Sequence, residues 1–335
     1  MQIHITNIYG MAKNSTARIA QNMVAQIGKE LDFNEMGIYC YRDSTDTPEQ
    51  LSGRLDGIIA ALEAGDIVFF QSPSWNSLKF DQALLSRIRL YPEVKVITII
   101  HDVRALMFET NRYLLEETIA FYNRADFLIV PSQNMYDFLC EHGLTVKKYL
   151  VQHLWDQPVD PLTLYDSPTQ KVLNFAGDPQ KFTFVNDWNY DLPLHLFAKD
   201  APDPKPANLI HEGWKNSQEL LTQLSKNGGF GLVWNDGGYT FEYTSKYIAF
   251  KLGTYLAAGL PVIVPKGISN EELILKNNLG FVVETIDEAI QKIAEQSPAD
   301  YAQMKADTKK FAKLLQNGYF TRRSLTDAIY QVLQK

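Results

Sequence analysis

The sequence predicts an α/β protein of two doubly wound halves, each a parallel sheet with helices on both faces. Three observations carry that expectation. Short β-branched or aromatic runs alternate with segments of helical periodicity along the whole chain. Several runs, such as Ile67–Phe70 and Val262–Val264, are apolar at every position, as strands covered on both faces must be. A proline-bearing stretch from Asp156 to Ser167 separates two portions that repeat the same alternation. With 335 residues the chain is long enough for two cores.

In the first half, residues 2–8 alternate and read as a strand. A polar loop containing Gly10 follows, and Ala17–Lys29 then has helical periodicity with Ser15 or Thr16 as its N-cap. The loop lacks a full G-x-G-x-x-G, so no dinucleotide site is read there, and on spacing alone Thr16 serves as a cap. A strand at Phe33–Tyr41 and a helix at Pro48–Ala64 lead to the apolar strand Asp66–Gln71. That strand ends in Ser72-Pro73-Ser74-Trp75-Asn76, a turn beyond a strand's carboxyl end, where open α/β sheets bind ligands. Trp75 either stacks on a sugar ring or simply covers the loop. Val94–Ile100 is a buried strand closed by His101 and Asp102. A histidine titrates near neutrality and an aspartate can orient it or act as a base. The alternative is a histidine bonded to nearby backbone and an aspartate capping the next helix. Helix Asn111–Asn123, strand Ala125–Val130, helix Asn134–His142 and strand Thr145–Leu150 complete this half.

In the second half a strand at Lys171–Phe175 runs into Ala176-Gly177-Asp178-Pro179-Gln180-Lys181. Gly177 permits close approach of backbone to a ligand, and Lys181 adds charge beside it. A helix at Phe182–Trp188, a strand at Leu192–Phe197 and an exposed, proline-rich loop at Lys199–Asn208 follow. Ile210–Trp214 leads into a helix at Ser217–Lys226, then a strand at Gly229–Trp234 and a polar, aromatic loop at Asn235–Tyr243. The stretch FKLGTYLAAGLPVIVP, 250–265, is the most informative of the chain. Leu252, Tyr255, Leu256 and Ala257 give a helical apolar face, Gly259 suits a helix C-terminus, and Pro261 precedes a β-branched strand. Lys251 opens this helix, whose unpaired N–H groups already attract anions, so the spacing is that of a diphosphate site. It is equally that of an ordinary helix-to-strand unit with a surface lysine. One charge-assisted hydrogen bond is worth only ~1.5–3 kcal/mol and cannot define a site alone. A short helix at Asn270–Asn277, a strand at Leu279–Val283 and helices at Ile286–Gln296, Pro298–Leu315 and Tyr319–Gln334 close the sequence. The expected domains are 1–156 together with the terminal helix, about 318–335, and 157–317.

Composition narrows the function classes. A net charge of −7 argues against nucleic acid or an anionic membrane as the main partner. Two cysteines, Cys40 and Cys140, are too few for a disulfide framework or a cysteine zinc site. Six scattered histidines form no H-x-x-x-H or H-E-x-x-H pair, so no metal is expected. There is no G-x-S-x-G elbow and no G-K-[ST] phosphate loop. The opening MQIHITNIYG reads as a strand rather than a signal segment, and no run approaches the ~20 apolar residues of a membrane span. The expectation is a soluble cytoplasmic protein.

Several stretches together resemble one family. They are ITNIYGMAKNSTA (5–17), RLDGIIAALEAGDIVFFQSPSWN (54–76), IIHDV with the later LMF (99–108), FAGDPQKFTFV (175–185), GGFGLVW (228–234), FKLGTYLAAGLPVIV (250–264) and GYFTRR (318–323). The resemblance is to the glucosyltransferase 3, or nucleotide sugar synthetase-like, family. That family glycosylates serine-rich repeat adhesins of streptococci and lactobacilli. It implies a GT-B fold, with two Rossmann-like domains facing a cleft: an N-terminal acceptor-side domain and a C-terminal UDP-sugar domain. It implies transfer of glucose from UDP-glucose to GlcNAc on serine or threonine without a metal or other cofactor, by a homo-oligomer, reportedly a tetramer. By the same resemblance Lys251 binds the diphosphate and Thr16 faces the nucleotide. Trp214 aligns with a nucleotide-contacting tyrosine, Tyr243 and Ser245 lie near the donor, and Gly177 belongs to the same donor loop. His101 and Asp102 position the acceptor hydroxyl or the donor sugar; a base role depends on whether the anomeric centre inverts. Lys181 and Asp178 depart from the family's F-x-G-N-P-x-R pattern, which has arginine and asparagine there. A lysine offers a point charge where arginine offers a planar fork. Those departures keep open a second reading, a non-catalytic GT-B partner that binds the glycosylated or unfolded adhesin. A GT-B sugar epimerase is a third.

Overall fold

The computed structural model describes residues 1–235 and 243–334. The predicted loop Asn235–Tyr243 therefore falls mostly outside the described residues. The chain forms two compact units, Met1–His153 with Thr321–Lys335, and Leu154–Phe320. The expected boundaries were 156 and about 318.

The first unit is a six-stranded parallel sheet: β1 (Ile3–Tyr9), β2 (Asn34–Tyr39), β3 (Ile67–Ser72), β4 (Lys95–Ile100), β5 (Phe127–Val130) and β6 (Tyr149–Val151). Its order is β2-β1-β3-β4-β5-β6. All six residues of β3 are buried, which is why that run carries no alternation. The chain moves outward from β1 to β2, then returns to the other side of β1 to begin β3. The sheet thus reverses between β1 and β3, the point beyond whose carboxyl strand ends open α/β sheets bind ligands. The loop before helix Thr16–Glu30 and the turn after Ser72 stand there. The last helix, Tyr319–Leu333, returns to this unit. Its Arg322 pairs with Glu30, and Gln152 Nε2 donates to Thr321 Oγ1 at 3.3 Å.

The second unit is also six parallel strands: β7 (Leu173–Ala176), β8 (Leu194–Phe197), β9 (Leu209–His211), β10 (Phe230–Leu232), β11 (Val262–Pro265) and β12 (Gly280–Val283). The order β12-β11-β10-β7-β8-β9 is the doubly wound arrangement with its reversal between β7 and β10. Helix Phe250–Ala257 buries Leu252, Tyr255 and Leu256, and Gly259 ends it with φ +78°. Tyr255 decides much of the local packing. Its ring fills the place a side chain at Gly231 would occupy: a Cβ there would lie 2.2 Å from Tyr255 Cγ. Its hydroxyl accepts the Ala176 N–H at 2.7 Å, which ties this helix to the carboxyl end of β7.

Several expected elements change, among them the helix Asn111–Asn123, which is a 3-10 segment Glu109–Leu114 followed by a helix Leu115–Tyr122. Helix Pro48–Ala64 stops at Ile58, because the chain turns to bury Ile59 and Leu62. Strand Thr145–Leu150 pairs only at Tyr149–Val151, since the Thr145 N–H bonds the Asn123 side chain instead. Helix Phe182–Trp188 is a single 3-10 turn, Thr183–Val185. Phe182 and Phe184 both pack edge-on against Phe175, and residues two apart do not share a face of an α-helix. Ser15, not Thr16, caps the first helix: its side chain accepts from the Arg18 N–H at 3.4 Å. No helix among the described residues is long and apolar enough to cross a membrane. Cys40 and Cys140 are both free thiols.

Candidate functional site

In the second unit the site is built where the sheet reverses. β7 ends in a tight loop in which Asp178 Oδ1 accepts the Gln180 N–H at 2.9 Å, a turn that asparagine or aspartate makes equally well. The Asp178 carbonyl accepts the N–H groups of Lys181 and Phe182, so the chain doubles back over β7. The Phe182 ring then stands edge-on to Phe175, centroids 5.2 Å apart. Gly177 makes this possible. A Cβ at that position would lie 2.7 Å from the Phe175 ring and 2.8 Å from the Phe182 ring. The close approach that glycine permits here is that of two phenyl groups.

Lys251 reaches into this aromatic corner from helix Phe250–Ala257. Its Nζ lies 4.1 Å from the Phe175 centroid and 4.0 Å from the Phe182 centroid. The Nζ is buried and has no hydrogen-bond partner among the described residues. Lys181 Nζ sits over the same Phe182 ring at 5.4 Å. Among the described residues no carboxylate pairs with either lysine. Burial, and then the like charge of Lys181, pull the Lys251 pKa down to about 7. The ring faces offset part of that cost, ~1–2 kcal/mol for a desolvated cation. The helix has no side-chain cap, Ala249 occupying the cap position, so its first N–H groups add to the positive field. Two cations and a helix N-terminus converge, and among the described residues no anion answers them.

The other candidates of this unit are dispersed. Tyr243 is buried and stacks on Tyr247, centroids 4.8 Å apart, in the segment that leads to Lys251. Ser245 is half-buried in the same segment. Trp214 is 43% exposed and follows β9, the edge strand, with β8 standing between it and β7.

In the first unit His101 is buried at the end of β4. Its Nε2 lies 2.8 Å from Gln71 Oε1. The Gln71 amide nitrogen donates to the Thr6 carbonyl at 2.5 Å and the Gln21 carbonyl at 3.1 Å. The Gln71 oxygen must therefore accept, and His101 carries its proton on Nε2. Burial pulls the His101 pKa down to about 3, so the ring does not titrate near neutrality as its residue type suggests. Asp102 is half-buried, and the cap position of the next helix, Arg104–Met107, belongs to Val103. Thr16 is exposed at the start of its helix.

The turn after β3 is held from several sides. The Ser72–Pro73 peptide is cis, and Gln21 Nε2 donates to the Pro73 carbonyl at 2.8 Å. The Ser74 N–H donates to Asp81 Oδ2 at 3.3 Å, and burial pushes the Asp81 carboxyl up to about 7. Asn76 Oδ1 accepts the Tyr41 N–H at 2.9 Å, while Arg104 Nη1 donates to the Asn76 carbonyl at 2.6 Å. Trp75 adopts φ +65°, unusual for a large side chain, and its buried indole N–H has no hydrogen-bond partner. Gln71, Asp81 and Arg104 were missed in the sequence. Only Gln71, a lone amide in an apolar strand, left a signal there. Among the described residues no group of three or more His, Cys, Asp or Glu is placed to hold a metal ion.

Comparison with known proteins agrees with this architecture. Residues 2–154 match the model of the Glucosyltransferase 3-like N-terminal domain, and residues 173–328 that of the C-terminal domain. The chain is 42% identical over 333 residues to Glucosyltransferase 3 of Streptococcus parasanguinis, covering 99% of both chains. It is 44% identical over 336 residues to Glucosyltransferase 3 of Streptococcus gordonii, covering 99% of this chain and all of the relative. Among solved structures, Anabaena HepE in complex with UDP and glucose aligns with a TM-score of 0.67 at 11% identity, over 99% of this chain and 100% of that one. The two doubly wound units have the GT-B glycosyltransferase fold. By both family models and full-length identity, the chain belongs to the Glucosyltransferase 3-like family.

Proposed function

We propose that this chain transfers glucose from UDP-glucose to GlcNAc already attached to serine or threonine of a serine-rich repeat adhesin, as the second step of that glycosylation. Family membership makes it a UDP-sugar-dependent hexosyltransferase; the donor sugar, the acceptor and the order of steps are the proposal. The observation that carries it is the pair of lysines, Lys181 and Lys251, converging on one phenyl ring with no carboxylate paired to either among the described residues. As the glycosidic bond to UDP breaks, negative charge grows on the diphosphate. Two ammonium groups and a helix N-terminus, aimed at that charge before it forms, stabilise the departing group. Lys181 keeps the charge of the family's arginine but gives up its two-pronged grip. Tyr243, Ser245 and Trp214 are proposed contacts of the nucleotide, with Gly177 shaping the loop beside it. His101, neutral with its Nε2–H turned to Gln71, acts in this reading as a hydrogen-bonding group for the sugar or the acceptor. Asp102 is the remaining candidate to orient or deprotonate the acceptor hydroxyl. The proposed setting is the cytoplasm, with the chain assembled as a homo-oligomer, a tetramer by family likeness.

The test is UDP release by the purified protein with UDP-glucose, UDP-galactose and UDP-GlcNAc in turn, with and without a serine-rich peptide carrying GlcNAc. Release with UDP-glucose that depends on the modified peptide is expected. A well-folded sample that releases UDP with none of the three would favour the non-catalytic partner instead.

A further inference from the structure

We infer that the phenyl faces of Phe175 and Phe182 are a holding place for Lys251, and that binding of a nucleoside diphosphate draws one proton from solvent onto its Nζ. The inference rests on the reading of this loop as the donor diphosphate site and adds a proton to its binding equilibrium.

The surroundings of the amine set its charge. Its nitrogen is buried, 4.0 and 4.1 Å from two ring centroids, and no oxygen among the described residues accepts from it. A lysine so placed has the attraction of the rings but none of the hydrogen bonds that ordinarily satisfy an ammonium. Among the described residues the charged group acting on it is Lys181, from the loop after β7, and it repels. From its own helix Tyr255 faces the same strand end, with its hydroxyl engaged by the Ala176 N–H. Asp178, the nearest acid in the loop, spends an oxygen on the Gln180 N–H. Among the described residues, each of these groups thus favours the free amine except the two rings, and with a pKa of about 7 the amine is largely unprotonated in mildly alkaline solution. A diphosphate reverses each influence: it supplies the missing acceptors, brings negative charge and neutralises the repulsion from Lys181. The ammonium is then the stable form. The balance is one proton from solvent to Lys251 Nζ for each diphosphate bound, with no bond broken in the ligand. Phe182 is accordingly a positioning residue. It touches both lysines and no reacting atom need touch it.

The experiment is calorimetric titration of the intact protein with UDP at pH 8, in HEPES, TAPS and Tris, whose ionisation enthalpies differ. UDP's terminal phosphate, with its second pKa near ~6, is already ionised at that pH. The slope of binding enthalpy against buffer ionisation enthalpy counts protons, and ~0.9 taken up per UDP is expected. Lys251→Arg, always charged, is expected to bring the slope to zero. Phe182→Leu removes one ring but keeps the burial, and is expected to move the midpoint of proton uptake to lower pH, with Phe182→Tyr restoring it. A purely structural role for Phe182 would leave that midpoint where it is. UDP binding with zero slope in the unmodified protein overturns the coupling while leaving the donor site standing. A slope unchanged in Lys251→Arg overturns the assignment to Lys251. If that variant does not bind UDP, the midpoint of Phe182→Leu decides. A folded protein that does not bind UDP defeats the donor-site reading, and the coupling with it.

Discussion

Replacing Lys251 by methionine should stabilise the protein while abolishing donor binding. The magnitude follows from the site. An ordinary lysine titrates at 10.5, and this one at about 7. At ~1.4 kcal/mol for each tenfold change in proton affinity, that difference costs the folded state ~4–5 kcal/mol at pH 7. The two rings already return ~1–2 kcal/mol to the cation. Methionine has a similar unbranched reach, carries no charge and packs well against aromatic edges, so a net gain of ~2–4 kcal/mol is expected. In a unit of this size that is a rise in melting temperature of roughly 5–10 °C. The pH dependence is specific. Between pH 7 and 10.5 the unfolded chain holds more protons than the folded one, so the stability of the unmodified protein climbs with pH across that window. Below pH 7 the full cost applies. The gap between variant and parent, read by urea unfolding, should therefore be at its full width below pH 7, narrow as pH rises above 7 and be nearly closed at pH 10. A variant no more stable than the parent at pH 7, or a gap that ignores pH, would refute the reasoning. Stability gained as function is lost is the signature of a charge kept in an unfavourable place for a ligand.

Two further outcomes are expected. Asp81→Asn should flatten the pH dependence of stability in the acid range. The folded carboxyl titrates near 7 against an ordinary 3.8, so the folded state binds the extra proton between those values and loses stability as pH rises through them. Unfolding midpoints for variant and parent should agree near pH 4 and differ by ~4 kcal/mol in the variant's favour at pH 8; parallel curves would sink the idea. Tyr255→Phe should cost ~1–3 kcal/mol by leaving the Ala176 N–H without its acceptor. It should also weaken UDP binding, because that bond joins the Lys251 helix to the strand preceding the Gly177 loop. Chemical unfolding and a UDP titration on the same sample check both parts.

What the sequence determined was the local and the periodic. Runs such as IVFF and VIV are apolar throughout because parallel strands are covered on both faces, and that demand is visible residue by residue. Gly259 and Lys251 were legible for a similar reason: a helix states its ends in the residues that stand there. Family-specific strings carried the rest, including the donor-loop candidates. Only the tertiary structure decided the surroundings of each group. Lys251 looks like a surface lysine until Phe175, some seventy positions earlier, and Phe182 close around it. His101 has the composition of a titrating histidine, and becomes a fixed neutral one through Gln71, held in turn by β1 and the first helix. The 182–188 segment has the propensity of a helix, yet the two rings it sends to Phe175 forbid one. In each case the governing term is desolvation or packing by residues distant in the chain, and neither can be read from neighbours in sequence.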